Sequence, residues 1–445
     1  MRERRIKPVM HVKITFLGAG SVVFLRNVID DCLLTDGLKD AHYALYDIDC
    51  QRLSDALSMV NALNRSINDG KATFSAHCGG AHLAEALHGA DFVVNAIQVG
   101  GYEPATKADF DICNKYHLQT TIGDTLGPAG IFRALRTIPI LDFFAETMSR
   151  ECPQAWFLNY TNPMGILSGY MQRYTDIKTV GLCHSVQVTA KKLMDGVGFV
   201  AKGHVAYRIA GINHMAWLLA ITEDGRDIYP EIKRLSLDHV PENDRVRIAV
   251  MNKFGYYVTE SSEHVAEYLP YFIKKTYPDQ IEKYNIPLDE YPRRCIMNIE
   301  KWSQMRRELV ENDNPSHERS REYASLIMRG IVLDSPFVFN GNVINNGSIS
   351  NLPDNACVEV PCVTSSFGID RIMVGALPEQ CAALNRTNIN VQLMAIQAAA
   401  TKRKEDVYQA ALLDPHASAE LSMEDIKALC DDMFVAHEQW LPEYK

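Results

Sequence analysis

Cys183 and His184 stand side by side in "KTVGLCHSVQ" (178–187), and a second histidine, His214, follows Asn213 in "GINHMAW" (211–217). Thiolate and imidazole are good ligands for a transition or borderline divalent ion. Placed on neighbouring strand ends, Cys183 and His214 could share one ion whose open positions take substrate oxygens. Their spacing matches neither a zinc finger nor an HExxH helix. Taken singly, the same residues also fit a buried thiol and a hydrogen-bonded histidine, and both readings stay open.

A second chemistry is written in "VKITFLGAGSVVF" (12–24). Gly18 and Gly20, followed by Ser21, fall where a first strand meets a first helix. There glycines let the backbone turn sharply and approach a pyrophosphate at the helix N-terminus. Val23 takes the place of the third glycine of the dinucleotide fingerprint. Asp47 and Asp49, ending the next strand in "HYALYDID", are candidates to accept hydrogen bonds from adenosine ribose hydroxyls, which favours NAD over NADP.

The elements that must hold these residues alternate. "VKITFL" reads as a strand, "LRNVIDDCLL" as a helix, "HYALYDID" as a strand, "RLSDALSMVNALNR" as a helix, and "ATFSAH" and "DFVVNAIQ" as further strands. A helix over 130–152, a strand over 155–163 and a strand and loop over 177–185 continue the pattern. Such alternation predicts an α/β fold with a Rossmann-like, doubly wound parallel sheet. From about residue 200 the alternation loosens into longer helices and mixed strands. The expected division is therefore a nucleotide-binding part over 11–200 and a closely packed C-terminal α+β part over 201–445 that supplies substrate contacts and subunit interfaces. Near the C-terminus "LMAIQAAA" reads as helix packing, with Asn388 in "TNINVQ" a possible cap at that helix's start.

The 445 residues are 47% hydrophobic and 22% charged, enough to bury a large core. A net charge of −10 argues against nucleic acid or an anionic membrane as the main partner, because phosphate binding needs clustered Lys and Arg. The basic "MRERRIKPVM" is followed by an apolar stretch too short for a signal or membrane segment, which predicts a cytoplasmic chain. Eleven cysteines at irregular spacing include no CxxC, so most are expected to be reduced core thiols and a disulfide framework is not expected.

The segments "FLGAGSVVF", "LYDID", "QVGGYEP", "GDTLGPAGIFRALRTIP", "LNYTNPM", "GLCHSVQ", "GINHMAW", "VTESSEH", "PLDEYPRRC" and "NINVQ" occur in an order and spacing that resembles glycoside hydrolase family 4, most closely its α-galactosidase branch. The resemblance implies NAD and a divalent metal, commonly Mn²⁺, and an exception to two-carboxylate glycoside hydrolysis. It also implies oxidation at sugar carbon 3, loss of the acidified carbon 2 proton, elimination of the group on carbon 1, addition of water and return of the hydride. Cys183 and His214 fall on the family's metal ligands, and Asn162 on an asparagine that contacts the sugar, whereas Asn159 could serve the strand-end backbone.

The acid and base are less direct. In the phosphoglucosidase branch an aspartate follows the metal cysteine and acts as the acid; here His184 stands there, a group able to protonate a leaving oxygen near neutral pH or merely to position it. That branch uses a tyrosine base assisted by an acid whose counterpart is Asp124. "YYVTESSEHVAEY" offers Tyr256, Tyr257, Glu260, Glu263, His264 and Tyr268, with Tyr268 preferred and Glu263 and His264 as rivals. Arg133 and Arg136 fit a solvated helix face or contact with cofactor or sugar, and Arg293 and Arg294 fit a substrate contact or local pairs with Asp289 and Glu290. The expected partner is a small α-glycoside, and the expected assembly a homodimer or homotetramer. An α-glucosidase or α-galacturonidase would share these motifs. A lactate- or malate-type dehydrogenase shares the fold, and a catalytically idle sugar or NAD binder is a third reading.

Overall fold

In a computed structural model describing residues 11–311, 319, 320 and 322–445, one sheet of 13 strands joins the two halves of the chain. The basic decapeptide at the start lies outside the described residues. Strands β1 (Lys13–Leu17), β2 (His42–Asp47), β3 (Thr73–Cys78), β4 (Phe92–Asn95), β5 (Trp156–Asn159) and β6 (Lys178–Gly181) lie parallel in the order β3-β2-β1-β4-β5-β6. This is the doubly wound arrangement expected from the alternation, with the order reversing next to β1. Helices cover the central strands, so "FVVN" in β4 is buried at every position. The helix Val22–Leu33 shows how: Val22, Leu25, Val28, Ile29, Cys32 and Leu33 recur at helical spacing and all face the core.

The C-terminal strands extend the same sheet with antiparallel pairs. They are β7 (Val205–Ile212), β8 (Met215–Glu223), β9 (Arg226–Asp227), β10 (Tyr257–Val258), β11 (Val338–Ile344), β12 (Cys357–Ser365) and β13 (Gly368–Arg371). Strand β11 pairs with β6 through Asn342 and Gly181, and β12 pairs with β7 through Glu359 and Gly211. Hydrogen bonding thus crosses residue 200 without a gap, which brings the β7–β8 hairpin to the edge of the nucleotide-type fold.

Three sequence expectations are corrected. Cys50 and Cys78 form a disulfide. Cys78 ends β3 opposite Asp47 of β2, and Cys50 opens the helix that follows β2, so pairing across the sheet brings together thiols that no local spacing connects. The other nine cysteines are free, as expected of most of them. Asn388 caps nothing: the helix runs Glu379–Thr401, and buried Asn388 donates from its middle to the Tyr268 carbonyl at 3.2 Å. Arg133 and Arg136 do not form a solvated face. Arg136 is fully buried in a two-bond pair with Asp109 at 3.0 and 2.7 Å, to which His437 adds a contact at 2.7 Å.

Candidate functional site

The carboxyl ends of β4, β5 and β6 and the tip of the β7–β8 hairpin open into a cleft of about 350 Å³, on whose wall stand Asp124, Asn162, Cys183, His184, His214 and Glu260. Strand carboxyl ends are where open α/β sheets bind ligands, because there the loops diverge and leave a crevice.

Three donors meet in this cleft. One ligand atom each from Cys183, His214 and Glu260 lies within 4.8 Å of the others. Cys183 follows β6, and the Tyr323 hydroxyl braces its backbone, accepting from its amide at 3.1 Å and donating to its carbonyl at 3.0 Å. His214 occupies the two-residue turn between β7 and β8 with φ of +63°. Glu260 leaves β10 with φ of +69°. Left-handed backbone is uncommon outside glycine and tends to persist where surroundings over-determine it. Here they do, since Thr259 donates its amide to the Ala216 carbonyl at 2.8 Å and the Ala216 amide donates back to Thr259 Oγ1 at 3.1 Å.

The charge states suit an ion. Burial, reinforced by His264, pushes His214 down to about 4, so it is a neutral imidazole with a lone pair to offer at pH 7. Glu260 is partly buried, but the neighbouring histidines outweigh that penalty and bring it to about 2. Burial and the Glu260 and Glu359 carboxylates push the Cys183 thiol well up. An ion would have to displace that proton, which makes occupancy pH-dependent.

Asp124 faces the donors from the loop before the helix Gly127–Glu151. The buried Glu267 carboxylate pins that loop by accepting the amides of Thr121, Ile122 and Gly123. Asp124 accepts from Thr125 Oγ1 at 2.8 Å and Asn162 Nδ2 at 3.1 Å, and His264 Nε2 stands 3.8 Å away. Burial opposes its charge, yet Arg133 and the two histidines hold its pKa low. His264 also lies 3.6 Å from Glu260 and packs edge-on against His214 at 4.5 Å between ring centres.

Beside the cleft the glycine turn packs against Ala96, the residue that follows β4. A Cβ on Gly18, whose φ is +86°, would sit 2.8 Å from the Ala96 carbonyl oxygen, and one on Gly20 would sit 2.8 Å from Asp47 Oδ2. Ala96 is itself on the cleft wall, so one residue separates the turn from the cavity that holds the three donors. Gly20 donates its amide to Asp47 at 2.6 Å. Asp49 caps the helix Cys50–Asn68 by accepting from Gln51 and Arg52, and Ser21 is exposed at the start of the helix Val22–Leu33. Asp47 is therefore tied into the turn and Asp49 into a helix start, each with side-chain surface remaining.

Not every sequence candidate reaches the cleft. Tyr268 is 1% exposed and stands behind His214, 6.3 Å between ring centres. Glu263 is off the wall and pairs with Arg294 at 3.5 Å. Asn159 bonds the Thr161 carbonyl and Ser168, a strand-end role. Arg294 and Asn162 do line the cavity, while Arg293 pairs with Glu290. His184 is exposed, 3.8 Å from Glu322, a carboxyl whose pKa burial raises. Glu322 carries no signal in the sequence, and Glu260 stands there only as one of the groups that "YYVTESSEHVAEY" offers. Nothing in local spacing marks either, because loops far apart in the chain bring them in.

A family described as family 4 glycosyl hydrolase matches residues 13–199, and its C-terminal domain matches residues 209–417. An α-galactosidase from Bacillus subtilis is 56% identical, the alignment spanning 97% of this chain and 100% of the relative. An α-galactosidase from Rhizobium meliloti is 32% identical over 97% of this chain and 89% of the relative. A 6-phospho-α-glucosidase from gut microorganisms, solved in complex with NAD and Mn²⁺, superposes with a TM-score of 0.81 at 20% identity, covering 98% of this chain and 100% of that one.

Proposed function

The chain belongs to the family 4 glycosyl hydrolases, and from that premise we propose that it cleaves α-galactosides with the help of NAD and one divalent metal ion, Mn²⁺ foremost. The observation that carries this reading is the set Cys183, His214 and Glu260 in a cleft whose wall includes Ala96, the residue against which the Gly18 turn packs. The sugar assignment draws on the 56% identical α-galactosidase.

The residues fit both groups. Sulfur, nitrogen and oxygen donors suit a borderline divalent ion and, being three, leave positions open for substrate oxygens. The turn has no room for a side chain, as backbone approach to a pyrophosphate requires. Bound there, NAD supplies reversible oxidation at sugar carbon 3, and the ion supplies polarisation of hydroxyl oxygens and charge stabilisation.

The chain's own groups do the rest. Asn162 offers an amide to sugar hydroxyls while its own bond to Asp124 fixes its orientation. Asp124 and His264 face the space where the carbon 2 proton must be taken, and both are ahead of Tyr268 and Glu263 as the base because they stand on the cleft wall. His184, backed by Glu322, is placed to give a proton to the leaving oxygen. Burial of Asp124, His214 and His264 keeps bulk water from the reacting carbons.

Residues 11–200 carry the cofactor in this account, and residues 201–445 carry the metal ligands His214 and Glu260 and the subunit contacts of a homodimer or homotetramer. Among the described residues no helix is long and apolar enough to cross a membrane. A cytoplasmic setting would keep Cys183 reduced and able to ligate.

The test is hydrolysis of nitrophenyl α-galactoside, α-glucoside and α-galacturonide, each with and without NAD, Mn²⁺ and a thiol reductant. The account expects α-galactoside cleavage that needs all three additions. Cleavage indifferent to stripping NAD and metal overturns it, and stoichiometric NADH from a hydroxy acid favours a dehydrogenase instead.

A further inference from the structure

Among the described residues the cleft wall carries two permanent cations, Arg133 and Arg294. Both are committed. Arg133 is 8% exposed, lies against the Tyr291 ring, donates to the Asn162 carbonyl at 3.3 Å and has the Asp124 charge beside it. Arg294 reaches the wall from one turn into the helix Glu290–Leu309, where its Nε donates to Glu290 at 2.8 Å and its Nη2 to Glu263 at 3.5 Å. Asp124, Glu260 and Glu322 add three carboxyl groups to the same wall.

A glycoside ionised at carbon 6, such as a galacturonide, needs an uncompensated cation to balance its own desolvation. Among its permanent side-chain cations this wall offers none. Resting on the α-galactosidase reading, we propose that Glu263 and Glu290 make the enzyme selective for neutral over anionic glycosides by neutralising Arg294 at the cleft wall. A neutral hydroxymethyl group meets no penalty there. A carboxylate meets a guanidinium already paired twice, and three further carboxyl groups on the same wall. Arg294 is a latent anion site, and the two glutamates are what keep it latent. Glu263 is thereby a specificity residue rather than a participant in the chemistry.

The experiment compares kcat/KM for nitrophenyl α-galactoside and α-galacturonide at fixed pH, with NAD and Mn²⁺ present. The proteins are wild type, Glu263→Gln, Glu290→Gln, the double variant, and the double variant carrying Arg294→Ala. Wild type is expected to prefer the galactoside. The double variant is expected to raise the galacturonide-to-galactoside ratio roughly ten- to a hundredfold, the worth of one charge-assisted hydrogen bond. The gain should fall mainly in KM, shrink at high salt and vanish when Arg294→Ala is added. A ratio that does not move, or a gain that survives Arg294→Ala, overturns the proposal. So does loss of kcat on the galactoside in Glu263→Gln, which would return Glu263 to the chemistry. Failure of the α-galactosidase reading is distinguishable, since wild type would then leave the galactoside uncut whatever the variants do.

Discussion

Replacing Glu359 by glutamine should make the metal-free protein more stable, and increasingly so as pH rises. Glu359 sits on β12 opposite Gly211, the residue that leads into the turn carrying His214, and it is wholly buried. Asn342 donates to its Oε1 at 3.2 Å, yet burial pushes its pKa from 4.5 up to about 8. In the unfolded chain the same acid ionises at its ordinary value. The contribution of Glu359 to stability is therefore full below pH 4.5 and is lost as pH rises through about 8. Glutamine holds the neutral shape at every pH. A tenfold difference in proton affinity between folded and unfolded chains is worth about 1.4 kcal/mol, so the variant's advantage works out at about 1 kcal/mol at pH 5 and about 4 kcal/mol at pH 8. Urea unfolding of both proteins after chelator treatment, at pH 5, 6.5 and 8, should show the gap widening by about 3 kcal/mol. A gap that is flat or narrows toward pH 8 would show that Glu359 is ionised in the fold and refute the reasoning. Chelator treatment matters because a cation at the Cys183–His214–Glu260 set would draw the acid toward its charged form.

Other outcomes follow from the same geometry. Asp109→Asn leaves the fully buried Arg136 guanidinium without its carboxylate and should cost about 3–5 kcal/mol in urea unfolding; a cost below about 1 kcal/mol would mean the pair is solvated. Gly18→Ala forces a side chain onto left-handed backbone and against the Ala96 carbonyl, so calorimetric NAD affinity should fall about tenfold or more, and unchanged affinity would place the cofactor elsewhere. Asp124→Asn should lower kcat by ~10²–10⁴, whereas Tyr268→Phe should keep it within a factor of about ten; the reverse ranking would restore the phenol as base.

The nucleotide-type half was legible because its signals are local. Strand, glycine turn, helix and acidic strand end follow one another within about 40 residues, and the strand order follows from parallel crossovers. Cys183 and His214 were legible as a pair only because each ends a strand and because the surrounding motifs resemble a known family. Glu260 was seen as an acid but not as a third donor. Its place depends on the Thr259–Ala216 bonds that lay β10 along β8, a long-range pairing that no spacing encodes. Arg136 misled for a related reason. Its helix looks basic and exposed in one dimension, but Asp109 and His437, distant in sequence, close over it. The Cys50–Cys78 bridge escaped in the same way, through the register of β2 against β3.

The most direct test of the central claim is proton exchange at sugar carbon 2. An α-galactoside is hydrolysed in D₂O by the protein loaded with NAD and Mn²⁺, and the released galactose is examined by proton NMR. Removal of the carbon 2 proton followed by addition of solvent predicts deuterium at that carbon in the product. Galactose that keeps its original proton at carbon 2 would contradict the account and point to direct displacement by a pair of carboxyl groups.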